Sequence, residues 1–134
     1  KKQIAERLDR EGLRAQGVIH PRAVVGSDNI VEPGVIVYSG AQISTNVQLD
    51  RHVHVNPNAT IGHDAHLAEF TSINPGAIVS GEVYVGPMTL VGAGAVILQG
   101  LSVGNGCSIG ASACLTKDVP SGKTAVGLPA RWAD

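Results

Sequence analysis

The chain has 134 residues, enough for one domain with a sizeable core, and a net charge of −1 that leaves no electrostatic footprint for nucleic acid or an anionic membrane. No apolar run is long enough to span a bilayer, and no signal peptide opens the sequence. Cys107 and Cys114 lack metal-site spacing and are too few for a disulfide framework, which points to a reduced, cytoplasmic compartment. Aromatic residues make up only 3% of the chain. An ordinary layered core would need more, so the interior must be built from small aliphatics.

In chain order the first element is "KKQIAERLDREG". Ile4 and Leu8 fall on one helical face, Glu6 and Arg10 are spaced to pair at i, i+4, and Gly12 supplies the stop. The sequence opens on Lys rather than Met, which is read as the mark of a processed or trimmed fragment.

From Ile19 a period of six takes over. Stepping by six gives Ile19, Val25, Val31, Val37, Ile43, Leu49, Val55, Ile61, Leu67, Ile73, Val79, Val85, Val91, Ile97, Val103, Ile109 and Leu115. Every one is aliphatic, and nothing interrupts the count. Four residues after each comes a second position that is mostly small, with Asn29 and Leu101 as exceptions. Between the two lie corner residues. Pro33-Gly34, Pro75-Gly76 and Pro57-Asn58 suit the centre of a type II turn, and Asp28, Asn46, His52, Asp64 and Asp118 fall in the slot that needs a positive φ. Each hexad is therefore a short strand plus a corner. Three corners close a triangular coil of about 18 residues, so residues 18 apart stack. The expected architecture is an all-β, single-stranded parallel β-helix over residues 18–119. It follows a helix at 1–12 and precedes an irregular tail at 120–134.

The stretch "TIGHDAHLAEF" places His63 and Asp64 at the two central positions of one corner, where both side chains point outward. Asp64 has a structural explanation in the left-handed slot, and position alone favours a solvated role for His63. Gly81, 18 residues on, changes that balance. A glycine one coil along leaves space and an unshielded backbone N–H beside the imidazole, the combination acyl transfer requires.

The segments "IHPRAVV", "IGHDAHLAEFTSINPGAIVSGEVYVG", "LVGAGAVILQGLSVG" and "LTKDVPSGKTAVGLPAR" resemble the hexapeptide-repeat acetyltransferases. The resemblance is to the sialic-acid O-acetyltransferase and 4-amino-sugar-nucleotide N-acetyltransferase type. It implies a left-handed coil and a homotrimer, with acetyl-CoA as co-substrate and no metal. His63 is then the general base, and Asp64 raises its basicity. Gly81 is the oxyanion donor, and Ser72, Ala93 and Ala111 contact acetyl-CoA, the last two through backbone. The implied reaction acetylates an amino group of a nucleotide-linked sugar; a sugar hydroxyl is the alternative acceptor. Two departures stand out. The family's second histidine in F-x-H-I-x-P-G-A is Ser72 here, and of its N-terminal nucleotide-binding domain only a last helix, residues 1–12, is in evidence.

His20, His52, His54 and His66 read as structural, solvated or buried at a trimer interface. Lys117 and Lys123 are weak candidates for the CoA phosphates. Tyr38, Val53, Met88 and Leu98 are expected to face outward as apolar interface residues. A zinc enzyme on the same fold would need two histidines five apart and a third 36 residues earlier, and no pair here fits either spacing. A non-catalytic β-helix is the remaining class; the chain lacks the flat threonine ladder of an ice binder.

Overall fold

A computed structural model describes residues 1–133. Helix α1 spans Lys2–Arg10, and two-residue strands then recur every six residues from β1 (Val18–Ile19) and β2 (Val24–Val25) to β17 (Cys114–Leu115). Every third strand stacks on the same face, in parallel and with a register of 18: Val18 opposes Ile36, Val24 opposes Gln42, Ile30 opposes Gln48. The result is a left-handed parallel β-helix of about six turns with three flat faces. The first face carries β1 and its stack, the second carries β2 and its stack, and the third carries β3 (Ile30–Val31) and its stack.

The ladder explains why the corners are so uniform. The backbone N–H groups of the first strand residue and of the residue just after the strand bond to the carbonyl 17 residues on, as in Val18 to Val35 and His20 to Val37, both at 2.8 Å. The chain must then turn within two residues to meet the next face, and the second of these has positive φ. That slot holds Gly34 (+80°) and Gly76 (+67°), but also Asn46 (+55°), Asn58 (+58°) and Asp64 (+58°). Asn and Asp bear that geometry more easily than other non-glycine residues. His52, Phe70 and Met88 occupy it too, at the successive corners between the third and first faces. There His52 stacks on Phe70 at 4.9 Å, which offsets part of the backbone cost. Asp118 does not take the slot. Its Oδ1 accepts the Ser102 N–H at 2.8 Å instead, because the period ends just before it.

The core is the axial column the repeat predicts: Leu49, Ile61, Leu67, Ile73, Ile97, Ile109 and Leu115 are all buried. The small fourth positions close around it, with Ala41, Ala59, Ala77, Ala95 and Ala113 fully buried. Val53 belongs to that set. It stands four residues after Leu49 and is 0% exposed, so it is core and not the outward interface residue expected; Tyr38, Met88 and Leu98 do face outward. Ile19 and Val31, on the repeat but in the first coil, remain exposed because no coil stacks before them. Asn29, one exception to the small position, completes the ladder with its side chain. Its amide donates to the Gly26 and Ser44 carbonyls, and its Oδ1 accepts the Val47 N–H.

After Leu115 the register shortens. β18 (Thr124–Gly127) pairs with β16 (Ser108–Ile109) at a spacing of 16, and β19 (Ala130–Arg131) folds back antiparallel on β18. At the other end α1 lies against the first face, pinned by Arg51 to Asp9 at 3.1 Å. The expected Glu6–Arg10 ion pair is not formed: Arg10 Nε bonds the Glu6 carbonyl, and the charge pairs are Lys2–Glu6 and Arg7–Glu11. No helix among the described residues is long and apolar enough to cross a membrane.

Candidate active site

His63 and Asp64 stand at the edge between the second and third faces, where the corner turns both side chains out. The imidazole Nδ1 and Asp64 Oδ2 are 2.7 Å apart. The other carboxylate oxygen, Oδ1, accepts a hydrogen bond from Asn46 Nδ2 at 2.5 Å. That bond, and then the one with His63, hold the Asp64 carboxyl below the usual carboxylate range. An ionised carboxylate on Nδ1 fixes the proton there and leaves Nε2 free to accept one.

Nε2 points onto the next coil. A Cβ placed on Gly81 would sit 2.6 Å from it, so the ring occupies the space a side chain would have filled. The Gly81 N–H has no hydrogen-bond partner among the described residues. Its slot explains why. The equivalent corner position is Pro33, Pro57, Pro75 and Pro87 elsewhere, so the ladder never uses this N–H. Where the N–H exists it can reach an added acceptor: Arg51 donates to Glu32 Oε2 at 3.1 Å, and Asn105 to Ser121 Oγ at 3.0 Å. The arrangement thus offers a proton acceptor and an uncommitted amide donor side by side. Gly62 makes the approach possible, since a Cβ there would collide with the Gly81 amide and lie 2.6 Å from the Ser80 carbonyl carbon.

A groove of about 580 Å³ runs from His63 across the second face toward the first coil. Glycines at 26 and 62 hollow it, while Gln42, Ser44 and Thr60 line it with side-chain groups that carry no hydrogen bond among the described residues. None of its lining residues other than His63 is ionisable.

The remaining site residues expected from the sequence are not gathered there. Ala93 and Ala111 stack at a different edge, between the first and second faces, joined by the Ser112 N–H to the Ala93 carbonyl at 2.8 Å. The whole second face separates them from His63 within one chain. Ser72 lies on the first face, in register between His54 and Leu90, and its Oγ accepts from Lys1 Nζ at 2.7 Å. Two of the other histidines are occupied structurally. His20 Nδ1 accepts the Arg22 N–H, and His66 pairs with Asp50 at 2.8 Å on the third face. Lys117 sits over the Trp132 ring and Lys123 donates to the Ala133 carbonyl, so both cations have partners in the fold. Among the described residues no cluster of three His, Cys, Asp or Glu is placed to hold a metal ion. Asn46 is the residue the sequence reading assigned only to a turn. Counting 18 back from Asp64, as Gly81 was reached by counting 18 forward from His63, finds it.

No protein-family profile and no curated protein matches the sequence. Solved structures do. The chain superposes on a perosamine N-acetyltransferase from Caulobacter crescentus with a TM-score of 0.97 and 26% identity, covering 99% of this chain and 63% of that one. That structure carries a histidine-to-asparagine replacement and holds CoA and GDP-perosamine. The acetyltransferase domain of PglB from Neisseria gonorrhoeae gives 0.96 and 36% identity, covering 98% and 64% of the two chains, and a second structure of it contains acetyl coenzyme A. WeeI from Acinetobacter baumannii gives 0.96 and 26%, covering 98% and 65%. The chain thus spans a little under two thirds of the length of each.

Proposed function

We propose that this chain, which belongs with the hexapeptide-repeat acetyltransferases, moves the acetyl group of acetyl-CoA onto an amino group of a nucleotide-linked sugar. The observation that carries the reading is the His63–Asp64 pair, with Nε2 set against the side-chain-free Gly81. In the reaction the amine lone pair attacks the thioester carbonyl carbon. His63 Nε2 takes the proton the amine sheds, and Asp64 stabilises the imidazolium that forms. The Gly81 N–H holds the developing oxyanion, the C–S bond breaks, and the CoA thiolate leaves, recovering a proton in the next step. The uncharged, hydroxyl- and amide-lined groove beside His63 suits a sugar ring better than a phosphate.

Ser72, Ala93 and Ala111 are the proposed acetyl-CoA contacts. Since Ala93 and Ala111 lie a full face away from His63, one active site takes its base from one chain and its cofactor edge from another. A cyclic homotrimer with three shared sites closes that arrangement, and outward Tyr38, Met88 and Leu98 offer it apolar surface. The unpaired thiols of Cys107 and Cys114 fit a reducing, cytoplasmic setting. Residues 1–12 then form the last helix of a nucleotide-binding region.

The test is His63→Ala. Acetyl transfer to a 4-amino-sugar nucleotide, followed by CoA release, should fall ~10²–10⁴-fold, with the melting temperature unchanged because the side chain is exposed. Turnover at the wild-type rate would remove His63 from the mechanism.

A further inference from the structure

The left-handed slots at the His63 edge form a column one coil apart: Asp28, Asn46, Asp64, Glu82 and Gly100. Three of the five are acids. Of the two neutral ones, Asn46 lies one coil from the carboxylate that pairs with the imidazole and bonds to it. Asp64 therefore has a like charge one coil away on one side, at Glu82, and an amide donor on the other. An acid at position 46 would flank Asp64 with carboxylates on both sides and give its Oδ1 no donor.

We infer that Asn46 is a positioning residue, holding the Asp64 carboxylate so that His63 keeps its proton on Nδ1 and presents a bare Nε2. The geometry is direct: Asn46 Nδ2 to Asp64 Oδ1 at 2.5 Å, then Asp64 Oδ2 to His63 Nδ1 at 2.7 Å. An exposed aspartate with one oxygen free would rotate about its terminal bond and share its charge with water. With Oδ1 fastened to the neighbouring coil, that rotation must break a charge-assisted bond. The backbone at both corners is held by the neighbouring coil: Asn46 N–H donates to the Ser27 carbonyl at 3.1 Å and Asp64 N–H to the Thr45 carbonyl at 3.1 Å. Orientation thus passes from the ladder through two side chains to the ring. Asn46 touches neither reacting group, and its role is to fix the tautomer. The inference rests on the proposed function only where kinetics are concerned.

Asn46→Gly is the clean variant. It removes the amide, and glycine adopts the +55° φ without cost, so the fold should keep its melting temperature. Nitrogen-15 spectra of His63 in the free protein should show mainly the Nδ1–H tautomer in the wild type and a mixture of both in the variant. Acetyl-CoA turnover should fall on the order of tenfold with KM for acetyl-CoA unchanged. An unchanged tautomer population in Asn46→Gly overturns the inference, and so does lost turnover with the tautomer intact. A shifted tautomer with full turnover upholds the positioning role and counts instead against His63 as the base.

Discussion

At Gly81 the missing side chain is what allows the His63 ring to lean onto the neighbouring coil. The backbone there does not need glycine: its φ is not positive, unlike that of Glu82 beside it. A side chain at 81 would therefore leave the corner intact and push the imidazole away, since the first added carbon lies 2.6 Å from Nε2. Gly81→Val is expected to fold with an unchanged melting temperature and to lose at least ~10²-fold in acetyl transfer, because a base displaced by a bond length no longer reaches the amine. Normal turnover in the valine variant would place the thioester elsewhere. Both Gly81 and His63 are legible in the sequence, since a coil of 18 turns sequence distance into spatial adjacency. Asn46 is legible by the same count, although Asn already has a structural reason to be in a left-handed slot. Val53, expected to face outward, is core because its hexad position, four after Leu49, points inward.

At the scale of an element, the helix was readable and its docking was not. Ile4 and Leu8 announce an amphipathic turn, but the surface they approach is made by His52, His54 and Phe70, which the chain brings together from successive coils. Both histidines are held below the ordinary imidazole value, His52 first by burial and then by Arg51, His54 first by burial and then by Lys1. Asp9 and Glu69 act the other way on His52, and its Nε2 is buried without a hydrogen-bond partner among the described residues. The sign follows from linkage. A histidine whose pKa is lowered in the docked state leaves docking untouched above its free value, about 6.5, and weakens it as pH falls below that value. Hydrogen exchange of the α1 amides, corrected for intrinsic rates, should lose protection between pH 7.5 and pH 5. His54→Gln should shrink that loss. Equal protection at both pH values would mean that these imidazoles do not govern the docking.

For the whole molecule, the repeat made the prism legible from end to end, because an axial core this narrow admits an aliphatic at every sixth residue and little else. What a single chain could not reveal is how its edges meet. His63, the proposed base, stands on one edge and Ala93 and Ala111 on another, with the second face between them, so catalysis by the proposed mechanism is a property of neighbouring chains. Inactivating the two edges in different chains tests that directly. His63→Ala chains lack the base, and Ala93→Trp chains have a blocked cofactor edge; each alone should be inactive. Unfolded together and refolded as an equal mixture, they should regain about a quarter of wild-type acetyl transfer, the fraction of interfaces in a closed ring that pair an intact base with an intact edge. A mixture as inactive as its two components would contradict the shared site.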